Sequence, residues 1–449
     1  MASSNLLLTA PIGRQLAKMA GPMALGIIAI QAFNLVDIFF IGLLGTDALA
    51  AISFTFPVTF VVISLAMGLG AGLSACMGQA LGRGDHQQAA LFTSHSLLLT
   101  LGLVCVISVL GSLTIDPLFR LLGATEALLL LLHDYMWIWY MTVPLLVLPM
   151  VANSAIRATG DTRTPSLVMI VAGLVNGLLD PLLIFGLGPF PELGIKGAAI
   201  ASACSWFMAC TVGLWLLWRR ERLLVWPFHQ AKHIVAHWRQ LLHVALPACF
   251  TNLLNPLSVA ILMMILARLG TEVVAAYGAA SRIEAMLLIG VMARSSVLAP
   301  FISQNTGAGL HERSRFALFQ SMRFALWFQL ALFVGLWFSA PWLAARFSDN
   351  AQVSQYLTFY LRLVPLGYGL QGCFMLLASA LNGLRVSSIS FALNSVRLFG
   401  LLLPLAWLGN VWHAEQGVFI GILMANILAG IIAIGFAWSR FPWKIKRPL

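Results

Sequence analysis

The chain has 449 residues, 60% of them apolar and only 9% charged, and its mean hydropathy is +0.92. Soluble domains carry about 25% charged residues, so the composition excludes an ordinary soluble enzyme and describes a polytopic membrane protein. The formal charge of +11 does not indicate a nucleic-acid partner, because the basic residues sort by membrane side.

A membrane-spanning helix needs about 20 predominantly apolar residues. Apolar runs bounded by Gly, Pro or charge predict about twelve spans by that criterion, near 17–43, 47–79, 89–112, 128–155, 165–187, 196–218, 240–266, 272–303, 316–339, 355–381, 386–409 and 416–439. The first run is too long for a cleaved signal and lacks a small-residue cleavage pattern, so it reads as a retained span. With the N-terminus placed in the cytoplasm, seventeen Lys and Arg residues fall on that face, including Arg14, Lys18, Arg83, Arg219, Arg220, Arg222 and the terminal Arg440, Lys444, Lys446 and Arg447. Only Arg120, Lys196, Arg268 and Arg346 fall on the other face. This asymmetry predicts a multi-pass protein of the cell inner membrane with both termini cytoplasmic. The six cysteines show no metal-ligand spacing and read as core residues.

The first span contains "QAFNLVDIFFIG", residues 31 to 42, in which Asp37 interrupts an apolar run. An acid at that depth costs several kcal/mol unless it is hydrated, paired or protonated, so it reads as functional. The fifth span contains a second acid, Asp180, in "GLVNGLLDPLLIFG". Both lie about 10 to 12 Å below the outer face at 1.5 Å per residue. Asn34 and Asn176 precede these acids by three and four residues, on the same helix faces. Tyr135 on the fourth span and Ser202 on the sixth reach a similar level. Such groups should satisfy one another or line water, as a small-cation site would. Two nearby acids cannot easily both ionise, so the pair is expected to carry a proton at working pH, with Na⁺ at Asp37, Asn176 and Asp180 as the competing occupant. Pro22 frees a carbonyl of the first helix and is expected to act as a hinge.

A shift of 225 residues aligns Pro22 with Pro247, "LGT" at 44–46 with "LGT" at 269–271, Gln79 with Gln304 and Gly84 with Gly309. This register predicts an internal duplication: two parallel halves of six spans, 1–225 and 226–449, joined by a basic cytoplasmic linker at 219–240. The second half has no counterpart of the acidic pair. Its own buried acid, Glu284, is expected to pair with Arg294, Arg362 or Arg397. A substrate cavity is expected to draw on Asn34, Arg282, Glu284 and Met286. No His-Glu-x-x-His helix accompanies the acids, and a duplicated half with a one-sided ion site favours a carrier over a channel or an intramembrane enzyme.

Three stretches, "NLVDIFFIGLLGTDALAA", "MGQALGRGD" after the second span and "RATGDTRTP" after the fourth, make the chain resemble the multidrug and toxic compound extrusion (MATE) transporters over essentially its whole length. The acids in the first and fifth spans resemble the DinF-like branch. The resemblance implies an all-α, V-shaped fold of twelve transmembrane helices in two pseudo-symmetric six-helix lobes. It implies export of amphipathic, often cationic compounds, and hence antibiotic resistance, in exchange for inward H⁺ or Na⁺, by a monomer in the bilayer with no cofactor beyond the coupling ion. On the same basis Asp37, Asn176 and Asp180 match the cation site, with Tyr135 and Ser202 around them; Ser202 stands where Thr is expected and keeps the hydroxyl. The alternative reading is a lipid-linked precursor flippase of related two-lobe architecture.

Overall fold

The computed structural model describes Ala2–Ser439, and among these residues there are helices and no strand. Arg440, Lys444, Lys446 and Arg447, expected on the cytoplasmic face, lie outside the described residues. In chain order the α-helices are α1 Ala2–Thr9, α2 Ile12–Leu43, α3 Thr46–Gly82, α4 His86–Leu113, α5 Ile115–Leu121, α6 Glu126–Ala158, α7 Arg163–Ile184, α8 Ile195–Trp215, α9 Ile234–Ala267, α10 Thr271–Leu287, α11 Ile289–Gly307, α12 His311–Phe347, α13 Ala351–Leu363, α14 Tyr368–Gly383, α15 Ser387–Ser395 and α16 Leu403–Ser439.

Twelve crossings are built from these helices. Ten stretches are long and apolar enough to span, and α10 with α11, bent by 49°, forms a further broken span. The run Ser387–Ser439 counts once among the ten although its 53 residues are too long for one crossing of about 20. It is broken at His413 and Ala414, and Ala414 has a φ of 47°, the left-handed region that non-glycine residues rarely adopt. Gly409 and Gly417 face each other across this turn, where a Cβ on Gly409 would lie 2.0 Å from the Gly417 carbonyl oxygen.

Two spans expected to be continuous are interrupted, each for an identifiable reason. At Leu288 the freed carbonyl of Leu287 accepts a hydrogen bond from Gln329 Nε2 at 2.9 Å. The carbonyl of Leu287 is therefore not left unpaired in the apolar interior. Gly290 gives room for the Phe328 ring, which a Cβ would meet at 2.5 Å. The tenth span passes through a 3₁₀ turn at Val364–Gly367, where Pro365 lacks the N–H that a continuous helix requires.

The chain packs as two units, Met1–Leu6 with Gly21–Cys249, and Leu7–Ala20 with Phe250–Leu449. By packing, the division falls at 249/250 and within α2; the halves 1–225 and 226–449 describe the sequence repeat. The first turns of α9 belong to the first unit because glycines of α3 admit them: a Cβ on Gly72 would meet the Leu241 carbonyl oxygen at 2.8 Å, and one on Gly68 the Ala245 oxygen at 2.7 Å. Small residues let apolar helices approach closely where water offers no driving force. Within the first unit α2 is the least buried span, with 11% of its most apolar stretch covered against 50% for α6. The second unit has its own core around Tyr360, Tyr368 and Phe419.

The duplication is visible in the backbone. Gly45 and Gly270, 225 residues apart, take φ values of 117° and 129° before α3 and α10, and Gly84 and Gly309 both take 78°. Glycine at these turns avoids the Cβ penalty of positive φ.

Candidate functional site

The site begins with the packing of α2 on α7. Gly26 lies against Ser166, Phe33 against Gly173, and Asp37 against Asp180. Contacts that advance together along both chains make these two helices parallel. Seven-residue steps at 166, 173 and 180 keep the meeting points on one seam. Gly173 is required there: a Cβ would stand 1.8 Å from the Phe33 ring. Phe33 fills the space glycine leaves, and one turn later Asp37 comes level with Asp180.

Asp180 is fully buried and Asp37 half-buried. Their carboxyl groups lie within hydrogen-bonding range of each other. Oδ1 of Asp37 and Oδ2 of Asp180 are shielded from solvent and have no donor from the protein. Asn176, one turn before Asp180, donates through Nδ2 to Asp180 Oδ1 at 3.4 Å and to Ser202 Oγ at 3.3 Å. Ser202 is brought to this level by the tight start of α8, where a Cβ on Gly197 would meet the Leu183 carbonyl oxygen at 2.4 Å. The buried Tyr135 phenol stands within electrostatic reach of both acids. At the border of the same unit Lys196 pairs with Asp134 at 3.2 Å.

Five sequence-selected residues, Asp37, Asn176, Asp180, Ser202 and Tyr135, are thus brought together. Chemically, two carboxyls in hydrogen-bonding range need a proton or a cation between them, and the Asn176 amide bridges Asp180 to the Ser202 hydroxyl beside them.

The other selected residues are not part of this cluster. Asn34 is exposed on α2, and among the described residues it makes no hydrogen bond to the pair. Arg282 and Met286 are exposed on α10. Pro22 lies inside α2, two residues after the division between the units. Glu284 is not ion-paired among the described residues. It accepts from Tyr360 Oη at 3.2 Å and from Gln371 Nε2 at 3.1 Å, so neutral donors take the place of the expected arginine. Of the arginines considered, Arg294 bonds Ser321 Oγ at 3.2 Å and Arg362 bonds the Trp337 carbonyl at 3.3 Å. Arg397 acts on Glu284 only through space.

Two arrangements escaped the sequence reading. In "RATGDTRTP", Asp161 Oδ1 accepts from the backbone N–H groups of Arg163 and Thr164 at 3.0 and 3.2 Å. Its Oδ2 accepts from the Thr164 hydroxyl at 2.5 Å and from Arg220 at 2.7 Å. Burial pushes the Asp161 carboxyl up, but Thr164 and Arg220 outweigh it and hold it below the ordinary carboxylate value. The Asp-x-x-Thr spacing just before a helix was the available signal. The second arrangement centres on His95, a lone histidine in an apolar span, whose ring meets that of His237.

Comparison with known proteins agrees with this architecture. The MatE family model matches residues 22–182 and again 247–408, and the two starts are 225 residues apart. A FAD transporter of Shewanella oneidensis is 48% identical over 95% of this chain and 94% of its own. The probable multidrug resistance protein YoeA of Bacillus subtilis is 25% identical over 90% of this chain and 88% of its own. The solved structure of the Vibrio cholerae MATE transporter VcmN in its bent form superposes with a TM-score of 0.91 at 32% identity, covering 97% of each chain. With its twelve spans and its twice-matched family model, the chain belongs to the MATE family of multi-pass membrane transporters.

Proposed function

We propose that the protein is a cation-coupled antiporter of the inner membrane, of the DinF-like type, with both termini in the cytoplasm. It exports an organic solute as inward H⁺ or Na⁺ occupies the position between Asp37 and Asp180. The observation that carries this reading is the meeting of two carboxyls from separate helices, each with an oxygen that no protein donor satisfies. A buried anionic oxygen without a partner is costly, and binding a cation removes that cost. One charge moving inward gains about 2.3 kcal/mol per 100 mV.

Occupancy also changes what holds α2 in place. With a cation between them the acids draw α2 and α7 together; without one they repel. α2 is the least buried span of its unit and contains Pro22, which cannot complete the helical hydrogen-bond ladder. The charge on the pair therefore sets the bend of α2, and the bend is the step that ejects cargo.

For the cargo we propose a flavin dinucleotide, supported by the 48% identity to a protein named as a FAD transporter. Amphipathic cations are the second reading, favoured by the relatives named as multidrug resistance and multidrug export proteins.

The test is efflux from reconstituted vesicles of the full chain, acting as a monomer, loaded with FAD or with a fluorescent organic cation and energised separately by a pH or a Na⁺ gradient. FAD efflux driven by one gradient and lost in Asp37→Asn supports the proposal. Gradient-driven movement of the cation alone moves the assignment to multidrug export. Movement of neither, with lipid-linked precursors accumulating in a deletion strain, overturns it in favour of a flippase.

A further inference from the structure

Two consecutive residues of α4, Ser94 and His95, tie that helix to the segment after α8 and to the first turn of α9. Ser94 Oγ accepts from the Val225 backbone N–H at 3.0 Å. Trp238 Nε1 donates to the His95 carbonyl oxygen at 2.8 Å. The His95 ring makes the remaining two contacts: Nε2 lies 2.9 Å from the Pro227 carbonyl oxygen, and Nδ1 lies 2.8 Å from Nδ1 of His237. The Phe92 ring closes over His237 at 4.3 Å between centroids. His95 is 0% exposed and His237 7%.

The protons in this arrangement follow from the partners. A carbonyl oxygen only accepts, so His95 Nε2 must carry a hydrogen. In a neutral ring that leaves His95 Nδ1 as an acceptor, and His237 must therefore donate through its own Nδ1. A first added proton is tolerated, because an imidazolium at His95 donates on both sides while His237 takes its other tautomer. A second is not, because two N–H groups would point at each other across 2.8 Å. The gap holds one proton and no more.

We propose that the His95–His237 contact is a proton-operated latch: it holds the 225–238 segment against α4 while the gap holds one proton, and releases it when both rings are protonated. The other titratable group facing the pair is His233, whose ring stacks on His237 at 6.2 Å; its protonation adds like charge and acts in the same direction. Among the described residues no Asp, Glu, Lys or Arg makes a hydrogen bond or ion pair with either ring. Because residues 234–238 are the first turn of α9, release also frees the turn bearing Trp238. This protein would thereby loosen its interhelical segment when the adjoining compartment acidifies, independently of which ion or cargo it moves.

Hydrogen–deuterium exchange of the full-length protein in lipid nanodiscs, corrected for intrinsic rates, tests this between about pH 8 and about pH 4. Protection of 225–238 is expected to fall by about tenfold or more in the parent. In His237→Asn, whose amide donates to His95 Nδ1 but gains no proton, the fall is expected to shrink to within about twofold. Constant protection in the parent, or an unchanged fall in the variant, overturns the latch. Should the variant not fold, ¹⁵N histidine spectra of the parent decide the matter: Nε2–H at His95 with Nδ1–H at His237 at neutral pH supports the proposal, and the reverse tautomers overturn it.

Discussion

Phe33 of α2 occupies the volume that Gly173 of α7 leaves empty: a Cβ on that glycine would lie 1.8 Å from the ring. The acidic pair depends on this fit, since Asp37 follows Phe33 by one turn and Asp180 follows Gly173 by two. Gly173→Ala must push the ring aside at a cost of about 1–3 kcal/mol, loosening α2 from α7. Gly177→Ala should be close to neutral, because its Cβ would lie 3.7 Å from the same ring. Thermal unfolding of both variants, with Gly173→Ala combined with Phe33→Ala as a rescue, checks the contrast. Equal effects of the two alanines would show that the helices meet elsewhere.

The pair itself is tested by amide replacement. Asparagine keeps the size of aspartate and can donate to the remaining carboxyl, so Asp37→Asn and Asp180→Asn each imitate a permanently protonated site. Both variants are expected to fold and bind cargo while gradient-driven efflux falls by at least about tenfold. Efflux close to the parent rate in either would place the coupling elsewhere.

The Asp161 cluster gives a prediction about acid. Its carboxyl is held below the ordinary value, near 4, by Thr164 and Arg220 against the opposing effect of burial. A depressed carboxylate contributes stability that is fully present above its unfolded pKa and is lost as pH falls through the lower native one. Asp161→Asn should therefore cost about 1–2 kcal/mol at neutral pH, and the gap between variant and parent should close only in strong acid. Unfolding curves at several pH values measure this directly. A difference that instead closes above pH about 6 would contradict the assignment.

Much of this arrangement was legible in the sequence because polar residues in an apolar run have few explanations. Asp37, Asn176, Asp180, Ser202 and Tyr135 stood out individually, and depth alone brought them to one level. The duplication was legible because Gly84 and Gly309 serve the same left-handed turn. The break at Leu288 was hidden: its causes, Gln329 and Phe328, sit on α12 some forty residues away. Glu284 misled for a different reason. Charge logic looks for an arginine, whereas a tyrosine hydroxyl and a glutamine amide suffice as donors. His95 was passed over because its partners, Pro227 and His237, lie in a segment that composition describes only as a basic linker.

Arg313 carries the last prediction. On the first turn of α12 it donates to the carbonyl oxygens of Leu7, at 3.2 Å, and Ala10, and Asn305 Nδ2 adds a second donor to Leu7 at 3.2 Å. These acceptors lie at the end of α1, where carbonyls have no helical partner and a cation is favourable. The segment Leu7–Ala20 belongs with this unit, and the division falls just before Pro22, so Arg313 holds the turn that leads into α2, the helix that carries Asp37. Removing the guanidinium takes the side-chain donor from the Ala10 carbonyl and leaves Leu7 with Asn305 alone, at about 1–3 kcal/mol of local stability. Arg313→Ala should therefore accelerate hydrogen exchange over residues 7–20 while leaving 163–184 unchanged, and Arg313→Lys should restore part of the protection through its ammonium donors. Efflux in Arg313→Ala is expected to slow with little change in cargo affinity, since a bend at Pro22 moves Asp37 only when the preceding turns are held. Unchanged exchange over 7–20 would show that other contacts anchor the segment; a lowered cargo affinity with normal turnover would place Arg313 in recognition instead of in the mechanics of α2.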